Sequence, residues 1–392
     1  MSELFESKWS ETKSALTEGL VGNKKKTMEV ILENTKRYLS ESATAGATSA
    51  GNVATLNRVI LPVIRRVMPT VIANEIVGVQ PMTGPVGQIH TLRIRYADSS
   101  VGATTTTPGE EALSPFKIAE AYSGNDTGAG KGAATAALEG TAGKRLSIQI
   151  LKQAVEAKSR KLSARWTFEA AQDAQAQQGI DVEAEIMAAL AQEITAEIDQ
   201  EIIGSLKTLA GTAQLTYDQA AVSGTATFVG DEHAALAVQI NRVANTIAQR
   251  TRRGAGNWAV VSPTALTILQ SATTSAFARS TEGTFEAPTN TKFVGTLNGA
   301  MRIYANAYAT NDDVLVGYKG ASEADAAAFY CPYIPLMSSG VVLDPQTFEP
   351  VVGFLTRYGY VELNNTASSL GNAADYLGLI DLQTNVANLK FA

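Results

Sequence analysis

Between Ile186 and Leu206 an apolar residue stands at every fourth position: Ile186, Leu190, Ile194, Ile198, Ile202 and Leu206. Asp181 precedes the series as an N-cap, so the spacing predicts one helix over Asp181–Leu206, about 39 Å long at about 1.5 Å per residue. Four-residue steps drift by about 40° each on a 3.6-residue helix, so the apolar stripe winds around the rod. Such a rod needs a different partner along each part of its length, as a beam crossing a sheet would have. A shorter helix over Ser163–Gln178, stopped by Gly179, is expected to lead into it.

Other periodicities place further elements. Leu236, Ile240, Val243 and Ile247 predict a helix over Asp231–Arg252, with Arg250, Arg252 and Arg253 at the end its dipole makes negative, and Gly254 as a stop. Trp258–Val261 reads as a buried strand, and Ser262-Pro263 opens another helix with a cap and a proline in the first turn. Leu297-Asn298-Gly299 reads as a hairpin turn between Lys292–Gly295 and Met301–Tyr304. Strands are expected at Val314–Tyr318, Ala327–Tyr330 and Val351–Arg357. His90–Tyr96 alternates, with Leu92, Ile94 and Tyr96 on one face and Arg93 and Arg95 on the other, and Leu146–Ile150 alternates in the same way. Between them lie residues rich in Gly, Ala and Thr, including Thr104–Thr107 and Gly124–Gly132. A loop that long implies a function, and its flanking strands suggest a β-hairpin flap reaching away from its own domain.

The beginning of the chain differs from the rest. Glu3, Glu6, Lys8, Glu11, Lys13 and Lys24–Lys26 are charged, and Met28, Ile31 and Leu32 predict a short amphipathic helix over Lys25–Leu39. Ser42–Gly51 has the composition of a linker, which marks residues 1–41 as a separable appendage. Leu56–Val79 is apolar with Arg58, Arg65 and Arg66, and Pro62 and Pro69 argue against one long helix there.

Composition limits what such a chain does. Hydrophobic residues make up 45% of its 392 residues, enough for two or three compact units. Its net charge of -6 argues against a strongly basic nucleic-acid binder. The lone Cys331 excludes an internal disulfide and points to a reducing compartment. No apolar run spans a bilayer, and Glu3 and Glu6 stand where a secretory signal carries positive charge, so no membrane partner and no export are expected.

Catalytic residue types are sparse. His90 and His233 lack ligand-spaced companions, so structural or solvated roles are expected, and Cys331 within FYCPY reads as a buried inert thiol. Gly124–Gly132 fails as a phosphate loop twice: Asn125 occupies the first glycine position, and Gly132 stands where a magnesium-binding hydroxyl is needed. Glu183, Glu185, Glu193, Glu197, Asp199 and Glu201 read as a polar side of the long helix, and Asp312-Asp313 as a turn. No cofactor, metal or enzyme activity is expected. Arg357 interrupts an apolar strand and predicts burial with a carboxylate partner in the same or a neighbouring subunit.

Val67–Gln88 (VMPTVIANEIVGVQPMTGPVGQ), Val316–Asp325 (VGYKGASEAD), Phe329–Leu336 (FYCPYIPL) and Gly353–Gly359 (GFLTRYG) together closely resemble the major capsid protein of large contractile-tailed, T-even-type bacteriophages. Trp166–Ile203 is similar as well, and the resemblance covers most of the chain after residue 42, most weakly in the flap. It implies the α+β shell fold shared by tailed phages and the herpesvirus floor. The parts map as N-terminal arm 42–90, extended β-hairpin loop 91–150, peripheral domain 151–215 and 321–392 with its spine helix, and axial domain 216–320. The small domain inserted in the flap of the T-even type finds too little room in Tyr96–Leu146, and the N-terminal appendage is also shorter than usual.

The function implied is structural: hexamers of this chain forming the icosahedral head around packaged double-stranded DNA, without sequence-specific binding. Vertex protein, scaffold, prohead protease and portal are implied partners, with decoration proteins on the shell and assembly in the host cytoplasm. The prohead protease of such phages cuts after a Glu preceded two residues earlier by Leu or Ile. Leu39-Ser40-Glu41 matches and leaves Ser42 leading the linker; Ile31-Leu32-Glu33 matches too, but inside the predicted helix, where access is poorer. The paralogous pentameric vertex protein, a nanocompartment shell and a soluble hydrolase are the alternatives. Copy number in the particle, a cargo enzyme, and activity of the pure protein would respectively reveal them.

Overall fold

The computed structural model describes residues 25–34, 71–99, 135–140, 142–178, 181–218, 229–251, 253–271, 277–279, 292–323, 325–347, 349–363 and 373–382, with residues 9, 13, 14, 17, 22, 108, 109, 112, 122 and 123 between them. The chain forms two compact units, one from residues 1–87, 155–204 and 329–361, the other from 88–154, 205–328 and 362–392. Leu39, Glu41, Ser42 and most of the flap, Gly124–Gly132 included, lie outside the described residues.

The first unit is built on a four-stranded sheet ordered β1-β11-β12-β4, from β1 (Gly78–Val79), β4 (Lys158–Arg165), β11 (Ala328–Leu343) and β12 (Pro350–Glu362). Along β12, Val352, Phe354, Thr356 and Tyr358 are buried and Val351, Gly353, Leu355 and Arg357 between them half-exposed, the alternation of a sheet with one covered face. The strand expected at Ala327–Tyr330 runs on through Pro332 and Pro335. Interior strands reject proline because it lacks a donor, but β1 pairs with only Phe329 and Tyr330, so β11 needs no proline donor beyond them on that side. Ser163–Arg165, expected to open a helix, instead end β4, where they pair with Gly353, Val352 and Val351. A helix over residues 25–34 (α1) and the short α2 (Ala73–Ile76) belong to this unit.

The long helix is α5 (Val182–Ala210), preceded by α4 (Phe168–Gln178), with α3 (Thr135–Leu138) earlier in the chain. Asp181 caps α5 as expected, accepting hydrogen bonds from the backbone N–H of Glu183 at 3.1 Å and Ala184 at 3.4 Å. Ile194, Ile198, Ile202 and Leu206 are fully covered, each contributing about 2 kcal/mol of hydrophobic stabilisation, whereas Ile186 and Leu190 are only half-buried. The winding stripe is thus covered within the chain over its C-terminal half.

The second unit holds a seven-stranded sheet ordered β5-β13-β10-β6-β9-β8-β7. Its strands are β5 (Leu215–Tyr217), β6 (Trp258–Val261), β7 (Phe277–Arg279), β8 (Lys292–Leu297), β9 (Met301–Ala305), β10 (Asp313–Gly317) and β13 (Leu377–Leu382), the last preceded by a 3₁₀ turn at Ala373–Tyr376. Every residue of β6 and β10 is buried, as central strands covered on both faces must be. Helix α6 (Val229–Thr251) buries Leu236, Ile240, Val243 and Ile247 in a core shared with Ile303, Val314, Val316 and Ile380, and α7 (Pro263–Ser271), capped by Ser262, adds Ile268 and Leu269. The expected turn at Asn298-Gly299 has both residues at positive φ, 53° and 68°, the geometry that matches strand twist in a two-residue hairpin.

One expected boundary changes. The resemblance places residues 321–392 in the peripheral domain, but β13 pairs with β10 and β5 and completes the seven-stranded sheet. Only residues 329–361 return to the first unit. Gly317 on β10 lies opposite Trp258, whose ring would sit 2.1 Å from any Cβ added there. Gly317→Ala is therefore expected to cost about 2 kcal/mol through overpacking, read as a lower melting temperature, while Gly143→Ala, with open space around it, leaves melting unchanged.

Candidate assembly surfaces

Several acid–base and nucleophilic groups among the described residues are bound up in structure. Arg160 of β4 donates to Glu197 Oε2 at 2.6 Å, to Glu201 Oε2 at 2.6 Å and to the Tyr358 hydroxyl at 2.6 Å, and that hydroxyl donates in turn to Glu201. Burial works against the charge on Glu201, yet its bonds with Tyr358 and Arg160 outweigh burial and hold its carboxyl below the usual range. The network ties α5 to β4 and β12 and leaves no free acid–base pair there. Burial pushes the Cys331 thiol up to about 12, so it stays protonated and a poor nucleophile. His90 is exposed on β2 (Val86–Tyr96), and His233 is buried with its Nδ1 against the Ser271 hydroxyl. Among the described residues no cluster of three His, Cys, Asp or Glu side chains could hold a metal, and no helix is long and apolar enough to cross a membrane.

What remains is surface. Strands β2 and β3 (Leu146–Glu156) form a separate two-stranded ribbon, as the alternation at His90–Tyr96 and Leu146–Ile150 implied. At its Tyr96 end Ile94, Tyr96, Ala112 and Tyr122 make a small core of their own, with the two tyrosine rings 4.6 Å apart. Asp98 accepts the Arg145 backbone N–H at 2.8 Å, and the Tyr122 hydroxyl donates to the Arg145 carbonyl. On β3, Leu146, Ile148 and Ile150 follow one another on one face and stay 53%, 68% and 65% exposed. Three aliphatic side chains in a row, left in water, mark a surface built to be covered. A second exposed aliphatic run, Val341–Leu343, ends β11.

The other expected site residues fall as follows. Arg357 sits on the less covered face of β12, half-buried, with its guanidinium carbon 5.4 Å above the centre of the Tyr333 ring. Among the described residues no carboxylate pairs with it, and its Nε is buried without a hydrogen-bond partner. An aromatic face supplies part of the stabilisation that a carboxylate was expected to give. In the rival cleavage motif Ile31-Leu32-Glu33, Ile31 and Leu32 are fully buried within α1, which closes that bond to a protease. The residues carried no signal for the pair between half-buried Lys207 and buried Asp313 at 2.6 Å. The half-buried positions Arg160, Leu162 and Ala164 alternate along β4, and that period was the available signal for the Arg160 network.

Relatives make sense of a chain whose surfaces outnumber its reactive groups. Residues 53–382 match the family model of the major capsid protein Gp23. The major capsid protein of Vibrio phage KVP40 is 31% identical, over 88% of this chain and 84% of that protein. Those of Enterobacteria phages T4 and T6 are 31% and 30% identical over 86% of this chain, and over 80% and 83% of their own lengths. The solved capsid of Myoviridae Phage XM1 aligns with 78% of this chain and 88% of its own at 11% identity and a TM-score of 0.42. The chain belongs to the Gp23 family of major capsid proteins, a structural and not an enzymatic family, whose members form the shell of the tailed-phage head.

Proposed function

We propose that this chain assembles as hexamers into the closed icosahedral lattice of a phage head and encloses packaged double-stranded DNA. Vertex protein, scaffold, prohead protease and portal complete the particle, decoration proteins bind its outside, and assembly takes place in the host cytoplasm. Residues 42–90 act as the arm, 91–150 as the extended loop, 205–328 with 362–392 as the axial domain, and 155–204 with 329–361 as the peripheral domain. The prohead protease cuts after Glu41 in Leu39-Ser40-Glu41 and leaves Ser42 at the new terminus. Arg357 finds its carboxylate on a neighbouring subunit. A net charge of -6 keeps the shell from adhering to the DNA it encloses.

The observation that carries this reading is the row Leu146, Ile148 and Ile150, more than half exposed on a two-stranded ribbon. A ribbon of two strands is not stable by itself in water, and covering it with a neighbouring subunit removes both the exposed edges and the apolar row. Ile148→Glu tests it. The variant is expected to melt within about 0.5 kcal/mol of wild type, since the side chain is exposed in the subunit. It is also expected to yield few rings, tubes or shells by negative-stain electron microscopy, where wild type yields many. Wild-type assembly by the variant would remove the ribbon from the lattice contacts.

A further inference from the structure

Helix α1 contradicts the picture of a separable appendage. Met28, Ile31 and Leu32 are 2%, 0% and 0% exposed, and Thr27 and Asn34 on either side are also buried. Asn34 uses both hydrogens of its side-chain amide, donating to the Met82 carbonyl at 2.8 Å and to the Tyr333 carbonyl at 3.0 Å. Met82 follows β1, at the edge of the four-stranded sheet, and Tyr333 lies on β11. The same two segments are already joined by the bonds from Gln80 N–H to the Tyr330 carbonyl and from Met82 N–H to the Pro332 carbonyl, each 3.0 Å. A buried amide with both donors satisfied by backbone from segments 48 and 299 residues away is a docking contact, not an incidental one. Lys13 adds an exposed pair with Glu33 at 3.5 Å, which contributes little.

We propose that residues 25–34 form a strap seated on the β1–β11 edge by Asn34, so that cutting the chain after Glu41 does not by itself release the N-terminal fragment. Three apolar side chains and the two hydrogen bonds of a buried amide hold the fragment in place after the peptide bond is gone. Release then requires a further event that loosens the sheet edge, and cleavage and departure are separate steps. The second statement rests on the cleavage reading given above; the seating itself does not.

Two measurements on the full-length chain test the strap. Hydrogen exchange is expected to protect amides 28–34, and Asn34→Ala or the equal-sized Asn34→Asp, which lacks the donors, speeds that exchange about tenfold or more. Peptides covering β8 and β9 serve as the folding control and keep wild-type protection in both variants. Exchange of 28–34 at the rate of an unstructured peptide in wild type, or no change in the variants, overturns the seating. In the second measurement a site for a sequence-specific protease replaces the residues around Glu41, and the cut protein is passed over a sizing column. The N-terminal fragment is expected to co-elute with the body in wild type and to separate in Asn34→Asp; a free fragment from the wild-type chain overturns retention. The mass of the subunit from mature heads tests natural cleavage independently, because it reads Ser42 at the terminus or does not.

Discussion

Replacing Lys207 by Met is expected to lower the melting temperature of the subunit by about 10 °C. Lys207 lies in the last turn of α5 and its Nζ is 2.6 Å from Asp313 Oδ1, at the start of β10. The Asp313 side chain is only 9% exposed, so the ammonium replaces water that burial takes away. Methionine keeps most of the aliphatic stem but leaves a carboxylate in a poorly solvated place, which costs about 3–5 kcal/mol. A unit of this size loses about 2–4 °C per kcal/mol, which gives the figure above. Asp313→Leu alone leaves the partly exposed lysine free to turn toward water and costs less. The double variant Lys207→Met with Asp313→Leu recovers most of the loss, since two apolar groups replace a pair whose desolvation was expensive. Thermal melts of the four proteins form the cycle, and additive losses would show that the pair is not coupled.

Asp199 is expected to give the subunit a stability that falls as pH rises from about 4 to about 7. Its carboxyl is buried on α5, and burial raises it to about 7 from an ordinary 3.8, against the opposing effect of the hydrogen bond it accepts from Ile72 N–H at 2.9 Å. In that window the folded chain keeps a proton that the unfolded chain has lost, so protonation favours folding. The contribution is complete below about 4 and is lost as pH passes through the folded value near 7; at about 1.4 kcal/mol per unit it reaches the order of 4 kcal/mol. Asp199→Asn keeps the oxygen that accepts the Ile72 N–H and removes the charge. Denaturant melts are expected to show the variant equal to wild type near pH 3 and increasingly more stable from there to pH 8. Equal stability of the two at pH 8 would mean that the carboxylate is solvated in the folded protein.

Asp199 also shows how far a sequence can be read. The carboxylates from Glu183 to Glu201 read as the polar side of a helix, and for Glu197 that holds, since it is exposed and paired with Arg160. Asp199, two positions on, faces inward. A stripe that drifts by about 40° per step cannot keep every carboxylate on one side of a rod this long. The same drift was legible in the residues; what it pressed Asp199 against was not. Arg357 is a similar case. Its place on a strand followed from the apolar run around it, but whether it met a carboxylate or the Tyr333 ring depended on β11, whose extent was underestimated at Pro332.

The sequence by itself determined the elements whose signal lies within a few residues: α5 and its Asp181 cap, α6 with its four-point stripe, the Ser262-Pro263 helix start, and the Asn298-Gly299 turn. Each depends on backbone geometry and near neighbours, so its residues carry the whole instruction. The motifs from Val67 to Gly359 also sufficed to place the chain among tailed-phage shell proteins. Tertiary structure alone decided which strands met. It put β13 between β5 and β10, gave β4 to β12, and brought Asn34 to the carbonyls of Met82 and Tyr333. Alternation tells a strand that one of its faces is buried, but says nothing about which segment, tens or hundreds of residues away, will bury it.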